Sequence, residues 1–317
     1  MAVVVATRGR AALLPRLLTA LEGQVDAPDF EVVLVDDASP DGTWPTISGL
    51  IESSPLSVRG VRMPAQSGPA AARNAGWRAS GAPRIAFTDD DCVPSPGWLR
   101  TLVRALDGAD IAQGATLPDP AQRDNLGPFS RTMEVTSPTG YFQTCNVAYR
   151  RSMLEQVGGF DDELRQAGED IELATRAQAA GGRTVFCAEA VVHHDIRPSH
   201  LLDHLRATRR WGGIVLAVRK QPALRQRLHH GLLWKRSHAP ALVAAAGLAT
   251  AVAAPGAWRA LGAVAVLPYV RHRLVVEPLK HTGRRDRVML LPAALLSDLT
   301  EVGVLAAASA RYRTLVL

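Results

Sequence analysis

At 317 residues, with 47% hydrophobic and 21% charged side chains, the chain is long enough for a large α/β domain plus an appendage and too apolar to be disordered. Its formal net charge of +6 is unevenly spread: acids gather in the first two thirds, and the basic stretch 206–287 lies beside apolar segments, which points to anionic lipid headgroups before nucleic acid. Cys92, Cys145 and Cys187 show neither CxxC pairing nor zinc spacing, which argues against a disulfide framework and for a reducing compartment.

In chain order, Ala2–Ala6 is a β-branched run that stops at Thr7-Arg8. It is too short for a signal-peptide core and reads as the first strand of a domain that begins at once, with this part of the chain in the cytoplasm. Leu13, Leu14, Leu17, Leu18 and Leu21 follow at helical spacing, and Glu31–Val35 is a second buried strand that runs into Asp36-Asp37. A helix, a short strand near Val58–Met63, a helical stretch Gly68–Ala79 and the strand Arg84–Thr88 come next, the last ending in Asp89-Asp90-Asp91. Strands alternating with helices predict a Rossmann-like, mainly parallel sheet flanked by helices, whose ligand sits beyond the carboxyl ends of the strands. Thr7-Arg8, Asp36-Asp37 and Asp89–Asp91 all fall at such ends.

From Trp98 to His194 the pattern reads helix, strand, loop, strand, helix and strand. The helix Glu169–Ala180 opens with two acids and is closed by Gly181-Gly182; Arg183–Phe186 is a final strand leading to His193-His194. Beyond Ser199 the composition shifts. Leu201–Val218 predicts one basic amphipathic helix; Ala239–Ala254 and Ala257–Val270 are apolar runs split by Pro255-Gly256, each below the roughly 20 residues of a bilayer span. Val288–Ala308 is apolar but carries Asp298 and Glu301. These segments are expected to be interfacial or re-entrant helices, the alternative being a soluble helical subdomain.

Three carboxylates after one strand repel one another, and a divalent cation is what holds them ionised together; oxygen ligands suit Mg²⁺ or Mn²⁺. An Asp-x-Asp at a strand end leaves room on that ion for a diphosphate. Asp170, at a helix start, is placed to act as a general base, or, with Glu169, merely to cap the helix. A neutral imidazole at His193-His194 completes a metal site with Asp91, unless the pair is structural.

The ordered motifs VVVATRGR, VLVDDASPDGT, GPAAARNAGW, IAFTDDDCVPSPGWL, TCNVAYRRSMLEQVGGFDDEL, GEDIELATRAQAAGG and AEAVVHHD closely resemble the family 2 glycosyltransferases of GT-A fold, over residues 2–197. The resemblance implies a catalytic domain over 1–197; the change of composition beyond it gives a helical, membrane-associated region over 198–317. It implies an inverting transfer of one sugar from a nucleotide-diphosphate sugar to a hydroxyl of a lipid-linked, cell-envelope or secondary-metabolite glycan, at the cytoplasmic face of the membrane. Carried over by position, Thr7, Arg8, Asp36, Asp37, Arg73, Asp89 and Asp90 lie toward the donor nucleotide or its phosphates. Asp91 and His194 match metal ligands and Asp170 matches the catalytic base. Glu169, Arg210 and Trp211 are expected on the acceptor side, the alternative for Arg210 and Trp211 being a basic helix that lies on lipid headgroups. The QxxRW-like motif of processive members is incomplete, since Ala207 stands where Gln or Arg belongs. Two readings from other classes compete: a nucleotidyltransferase, which would carry a glycine-rich, basic loop after the first strand, and a non-catalytic membrane scaffold.

Overall fold

The computed structural model describes residues 1–317. Its chain forms two compact units, one of residues 1–123 and 132–196, the other of residues 124–131 and 197–317.

The first unit is built on an eight-stranded sheet with spatial order β3-β2-β1-β4-β7-β6-β8-β5. Strands β1 (Ala2–Thr7), β2 (Glu31–Asp36), β3 (Ser57–Arg62) and β4 (Arg84–Asp89) are parallel. Strand β7 (Asn146–Arg150) runs antiparallel to β4 and to β6 (Ile111–Pro118), and β5 (Cys92–Pro94) antiparallel to β8 (Thr184–His194). The continuous apolar run of β1 is needed because both faces are covered. Val3 and Val5 face α1 (Leu14–Glu22) and α4 (Trp98–Gly108), through Leu14, Leu17, Leu18, Leu99 and Leu102. Ala2 and Val4 face α3 (Pro69–Ala79), with Ala70, Ala72 and Trp77. Each such Leu or Val contributes about 1.5–3 kcal/mol by leaving water. Helices α2 (Thr43–Ser53), α5 (Arg151–Val157) and α6 (Glu169–Ala179) complete the layers.

The final strand extends well beyond the expected Arg183–Phe186. It runs for 11 residues, Thr184–His194, along β6, with a register shift between Gly114 and Ala115. Its middle lacks the apolar alternation that marks a strand, and Ala188, Glu189 and Ala190 are where the pairing breaks: β6 pairs with Thr184–Cys187 on one side of them and with Val191–His194 on the other.

The second unit is helical. The single helix expected over Leu201–Val218 is two, α7 (Leu201–Ala207) and α8 (Gly212–Lys220), separated by a 3₁₀ turn at Thr208–Trp211. Thr208 Oγ1 donates to the Leu205 carbonyl at 2.7 Å, and Gly212-Gly213 favours a change of course there. Helix α9 (His238–Ala253) is followed by α10 (Ala257–Val264) and α11 (Leu267–Arg271), so the second apolar run is also interrupted, just before Pro268. Helices α12 (Arg284–Met289) and α13 (Leu291–Tyr312) end the chain. Only α13 has the length and apolar composition to cross a membrane. Its two acids are buried inside the unit: Asp298 accepts from Ser237, Tyr269 and Arg273, and Glu301 accepts from Lys235 Nζ at 2.6 Å.

Candidate active site

The sheet register gathers the acids. Thr7 pairs with Asp36, and Ala6 with Asp89, so the ends of β1, β2 and β4 form one rim. The histidine arrives from the far edge, where Cys92 pairs with His194 and the Asp195 amide donates to the Asp91 carbonyl at 2.8 Å. Helix α3 lies unusually close to the sheet. A Cβ on Gly76 would stand 2.4 Å from Val4 Cγ1 and 2.9 Å from Val35 Cγ2, so only glycine permits this approach. One turn earlier, the same helix carries Arg73 to the rim. On the other side Gly168, at φ +93°, begins α6 and aims Glu169 and Asp170.

Arg73 ties these parts together. Its Nη2 donates to Asp89 Oδ1 at 2.8 Å and its Nη1 to Glu169 Oε1 at 3.0 Å. The guanidinium is buried, which works against its charge, but Asp89 and Glu169 outweigh that and hold its pKa above the ordinary arginine range. Asp170 Oδ1 accepts from the Ile171 amide at 2.8 Å, a bond to the residue after it rather than a helix cap. Burial and the charge of Glu169 push the Asp170 carboxyl up to about 8.

Asp91 and His194 form the part suited to a metal. His194 Nε2 stands 3.7 Å from Asp91 Oδ1, while Nδ1 lies 2.9 Å from the Asp195 carbonyl. That carbonyl can only accept, so Nδ1 carries a proton, and Nε2 is the ring nitrogen turned toward Asp91. A carboxylate oxygen and a neutral imidazole fit a divalent ion such as Mn²⁺ or Mg²⁺. The Cys92 sulfur is also within 4.8 Å of both, but burial raises its thiol well above the usual range and keeps it protonated. It packs in the core rather than supplying a ligand.

The other sequence-named positions divide. Thr7 and Asp90 face each other, Thr7 Oγ1 donating to Asp90 Oδ2 at 2.6 Å. Asp36 is fully buried and accepts from the Ser39 amide. Asp37 accepts from the amides of Ser67 and Gly68 at 2.7 and 2.9 Å, fastening the loop before α3. Arg8 is exposed on the rim. Sequence reasoning missed Arg10, two residues on: its Nη1 donates to Asp90 Oδ1 at 2.7 Å and to Asp91 Oδ2 at 3.2 Å. A second arginine in TRGR was the available signal, but nothing local says which side chain turns inward. A cleft lined by Met1, Pro28, Arg84, Val103 and Arg150 opens at the amino end of the strands and has no acid in its wall.

A model described as glycosyl transferase family 2 matches residues 2–160, and one described as glycosyl transferase family group 2 matches residues 84–275. The chain belongs to glycosyl transferase family 2. It is 31% identical over 233 residues to a pre-mycofactocin glycosyltransferase of Mycobacterium tuberculosis, covering 68% of this chain and 47% of that one. It is 29% identical over 224 residues to a validoxylamine A glucosyltransferase of Streptomyces hygroscopicus subsp. limoneus, covering 57% and 48%. The chain thus spans about half the length of the curated relatives it matches. Among solved structures, the mannosyltransferase PcManGT from Pyrobaculum calidifontis, in complex with GDP-Man and Mn²⁺, superposes with a TM-score of 0.64. The identity is 21%, over 95% of this chain and 86% of that one, and the likeness shows the GT-A fold.

Arg210 and Trp211 belong to the helical unit. Arg210 lies 4.6 Å over the Trp211 ring, which packs beside Trp234 with ring centres 5.7 Å apart. Lys235 also lies over that ring, at 5.8 Å.

Proposed function

We propose that the chain transfers a single sugar from a nucleotide-diphosphate sugar to a hydroxyl acceptor with inversion. The observation that carries this reading is the convergence of Asp89, Asp91, Arg73, Glu169, Asp170 and His194 at the carboxyl rim of one sheet. Asp170 accepts the acceptor's proton as its oxygen bonds to the anomeric carbon; the bond from that carbon to the diphosphate breaks, and the nucleoside diphosphate departs with the electron pair. The raised carboxyl of Asp170 is matched to this task, because a base near the working pH takes up a proton more readily than an ordinary carboxylate. Arg73 holds Asp89 and Glu169 at fixed separation, so the donor side and the acceptor side of the rim keep one geometry. Asp91 and His194 would hold the divalent ion, which when bound neutralises charge on the leaving diphosphate. Thr7, Arg8, Asp36, Asp37 and Asp90 shape the donor side.

Mn²⁺ and GDP-Man in the PcManGT complex support a metal-dependent nucleotide-sugar donor here. The decisive experiment titrates the full chain with nucleoside diphosphate sugars, with and without Mn²⁺, while following thermal unfolding and product. A bound donor is expected to raise the midpoint, and the product to be a nucleoside diphosphate. Release of pyrophosphate would instead indicate nucleotidyl transfer.

The helical unit supports a membrane-proximal acceptor, a lipid-linked or cell-envelope glycan, at the cytoplasmic face. Helices α9 and α10 expose Leu242, Val243, Val252, Trp258, Leu261 and Val264 between basic flanks at Lys235-Arg236 and Arg271–Arg273. Sixteen residues of α9 reach about 24 Å, short of a hydrocarbon core of about 30 Å, so these helices fit the headgroup boundary of an anionic bilayer. Sedimentation with phosphatidylglycerol vesicles, weakened by Trp258→Glu, is expected; a detergent-free soluble chain that ignores those vesicles would overturn the membrane reading.

A further inference from the structure

Arg10 sits where a metal would be expected to act, and it has no part in the transfer chemistry of Asp170, Arg73, Asp91 and His194. Its Nη1 bridges Asp90 Oδ1 and Asp91 Oδ2, at 2.7 and 3.2 Å. Asp91 offers its other oxygen, Oδ1, to His194 Nε2. One carboxylate therefore lies between the guanidinium on one side and the imidazole Nε2 on the other. The Arg10 side chain is 37% exposed, against 2% and 7% for Asp90 and Asp91. Both of these contacts are made by Nη1, and part of the Arg10 side chain stays open to solvent.

Charge governs how such a site fills. Asp89, Asp90 and Asp91 bring three negative charges to the strand end, where Arg73 pairs with Asp89 and Arg10 with Asp90 and Asp91. A divalent ion arriving alone on Asp91 and His194 meets a cation already on the same carboxylate, and like charges at such range repel. A diphosphate changes the balance. It is itself a ligand for the ion, and it offers phosphate oxygens to the part-exposed guanidinium of Arg10, whose planar fork suits them.

We propose that Arg10 is a tethered counter-cation of the acidic rim, which shares Asp91 with a divalent ion only when a donor diphosphate engages its exposed part. Metal and donor then bind cooperatively, and the ion is held weakly by the protein alone. The inference rests on Asp91 and His194 being the metal ligands of a nucleotide-sugar transferase.

The test is Mn²⁺ titration of the full chain, read by the electron paramagnetic resonance signal of the aquo ion, with UDP or GDP absent or present. Wild type is expected to bind Mn²⁺ weakly alone and about ten-fold or more tightly with the matching nucleotide. Arg10→Gln is expected to bind Mn²⁺ alone about ten-fold more tightly than wild type, with the nucleotide effect cut to about three-fold or less. Arg10→Lys, which keeps the charge without the fork, is expected to match wild type for Mn²⁺ alone and to lose part of the nucleotide effect. Arg10→Gln binding Mn²⁺ no tighter than wild type, or retaining the full nucleotide effect, would leave Arg10 a static partner of Asp90 and overturn the proposal. So would Arg10→Lys behaving like Arg10→Gln. Wild type that binds no Mn²⁺ even with either nucleotide would instead remove the metal reading itself, and this inference with it.

Discussion

Residues 1–196 and 197–317 use acids in opposite ways. The first region has twenty-five Asp and Glu against seventeen Lys and Arg; the second has five against nineteen. In the first, Asp89, Asp90, Asp91, Glu169 and Asp170 crowd one rim, and the cations that reach them, Arg73 and Arg10, are each shared between two carboxylates. In the second, Asp298 alone has Arg273, Tyr269 and Ser237, and Glu301 has Lys235. A carboxylate that shares its cation with a neighbour at a strand end is placed to act as a ligand. One surrounded by donors in the interior is a structural counter-ion, and removing it should cost folding rather than chemistry.

The largest effect expected is on transfer. Asp170→Asn removes the base while keeping size, and should lower the turnover rate by about 10²–10⁴-fold with donor affinity nearly unchanged. Steady-state kinetics paired with donor titration separates the two. Turnover at wild-type rate would show that the crowded acids of α6 do not perform proton transfer.

In the second region the expected loss is of stability. Asp298→Ala strands Arg273 without its carboxylate at a buried site, which should cost about 3–5 kcal/mol. Urea unfolding followed by far-ultraviolet circular dichroism reads this directly. A loss below about 1 kcal/mol would mean that water already reaches Arg273, and the contrast between the two regions would weaken.

That contrast was only half visible in the sequence. The apolar runs of β1, β2 and β4 announced buried parallel strands, and each ended in polar residues, so the fold and the acidic rim followed from period and position. Asp91 and His194 were named on motif order, and the fold brings them within 3.7 Å through a strand pairing that spans more than a hundred residues. What stayed hidden depended on such distant partners. Asp298 and Glu301 looked out of place in an apolar helix, because Arg273 and Lys235 lie 25 and 66 residues away in the chain. Arg10 sits in a loop, where no periodicity fixes side-chain direction. The break at Thr208–Trp211 was invisible because the apolar pattern of α7 and α8 reads straight through it.

A smaller effect comes from pH. The Asp170 carboxyl is raised, so it is a base only when ionised, and activity should rise with pH up to about 8 and then level. With half the groups ionised at the pKa and about one in a hundred two units below, kcat/KM should climb about fifty-fold from pH 6 to pH 8. The sign for stability is the reverse. A folded-state value above the unfolded one makes the protonated fold the favoured one, a contribution complete below the usual carboxylate range and lost as pH passes about 8. A flat rate profile between pH 6 and 9 would place Asp170 among ordinary, solvated acids.

The smallest effect tests whether environment, rather than region, sets the value of an acid. Asp203 belongs to the same basic segment as Asp298 and pairs with Arg206 Nη1 at 3.0 Å, but both side chains are mostly exposed. Water solvates each charge and ions screen the pair, so Asp203→Asn should change stability by less than about 0.5 kcal/mol in the same urea experiment. Asp107, exposed and paired with Arg84 in the acidic region, should behave alike when changed to Asn. If Asp203→Asn proved as damaging as Asp298→Ala, the excess of positive charge over residues 197–317 would be the governing quantity. Each acid there would then act as a counterweight to the whole segment, and adding salt should rescue both variants equally, whereas burial predicts that salt leaves the Asp298 variant unstable.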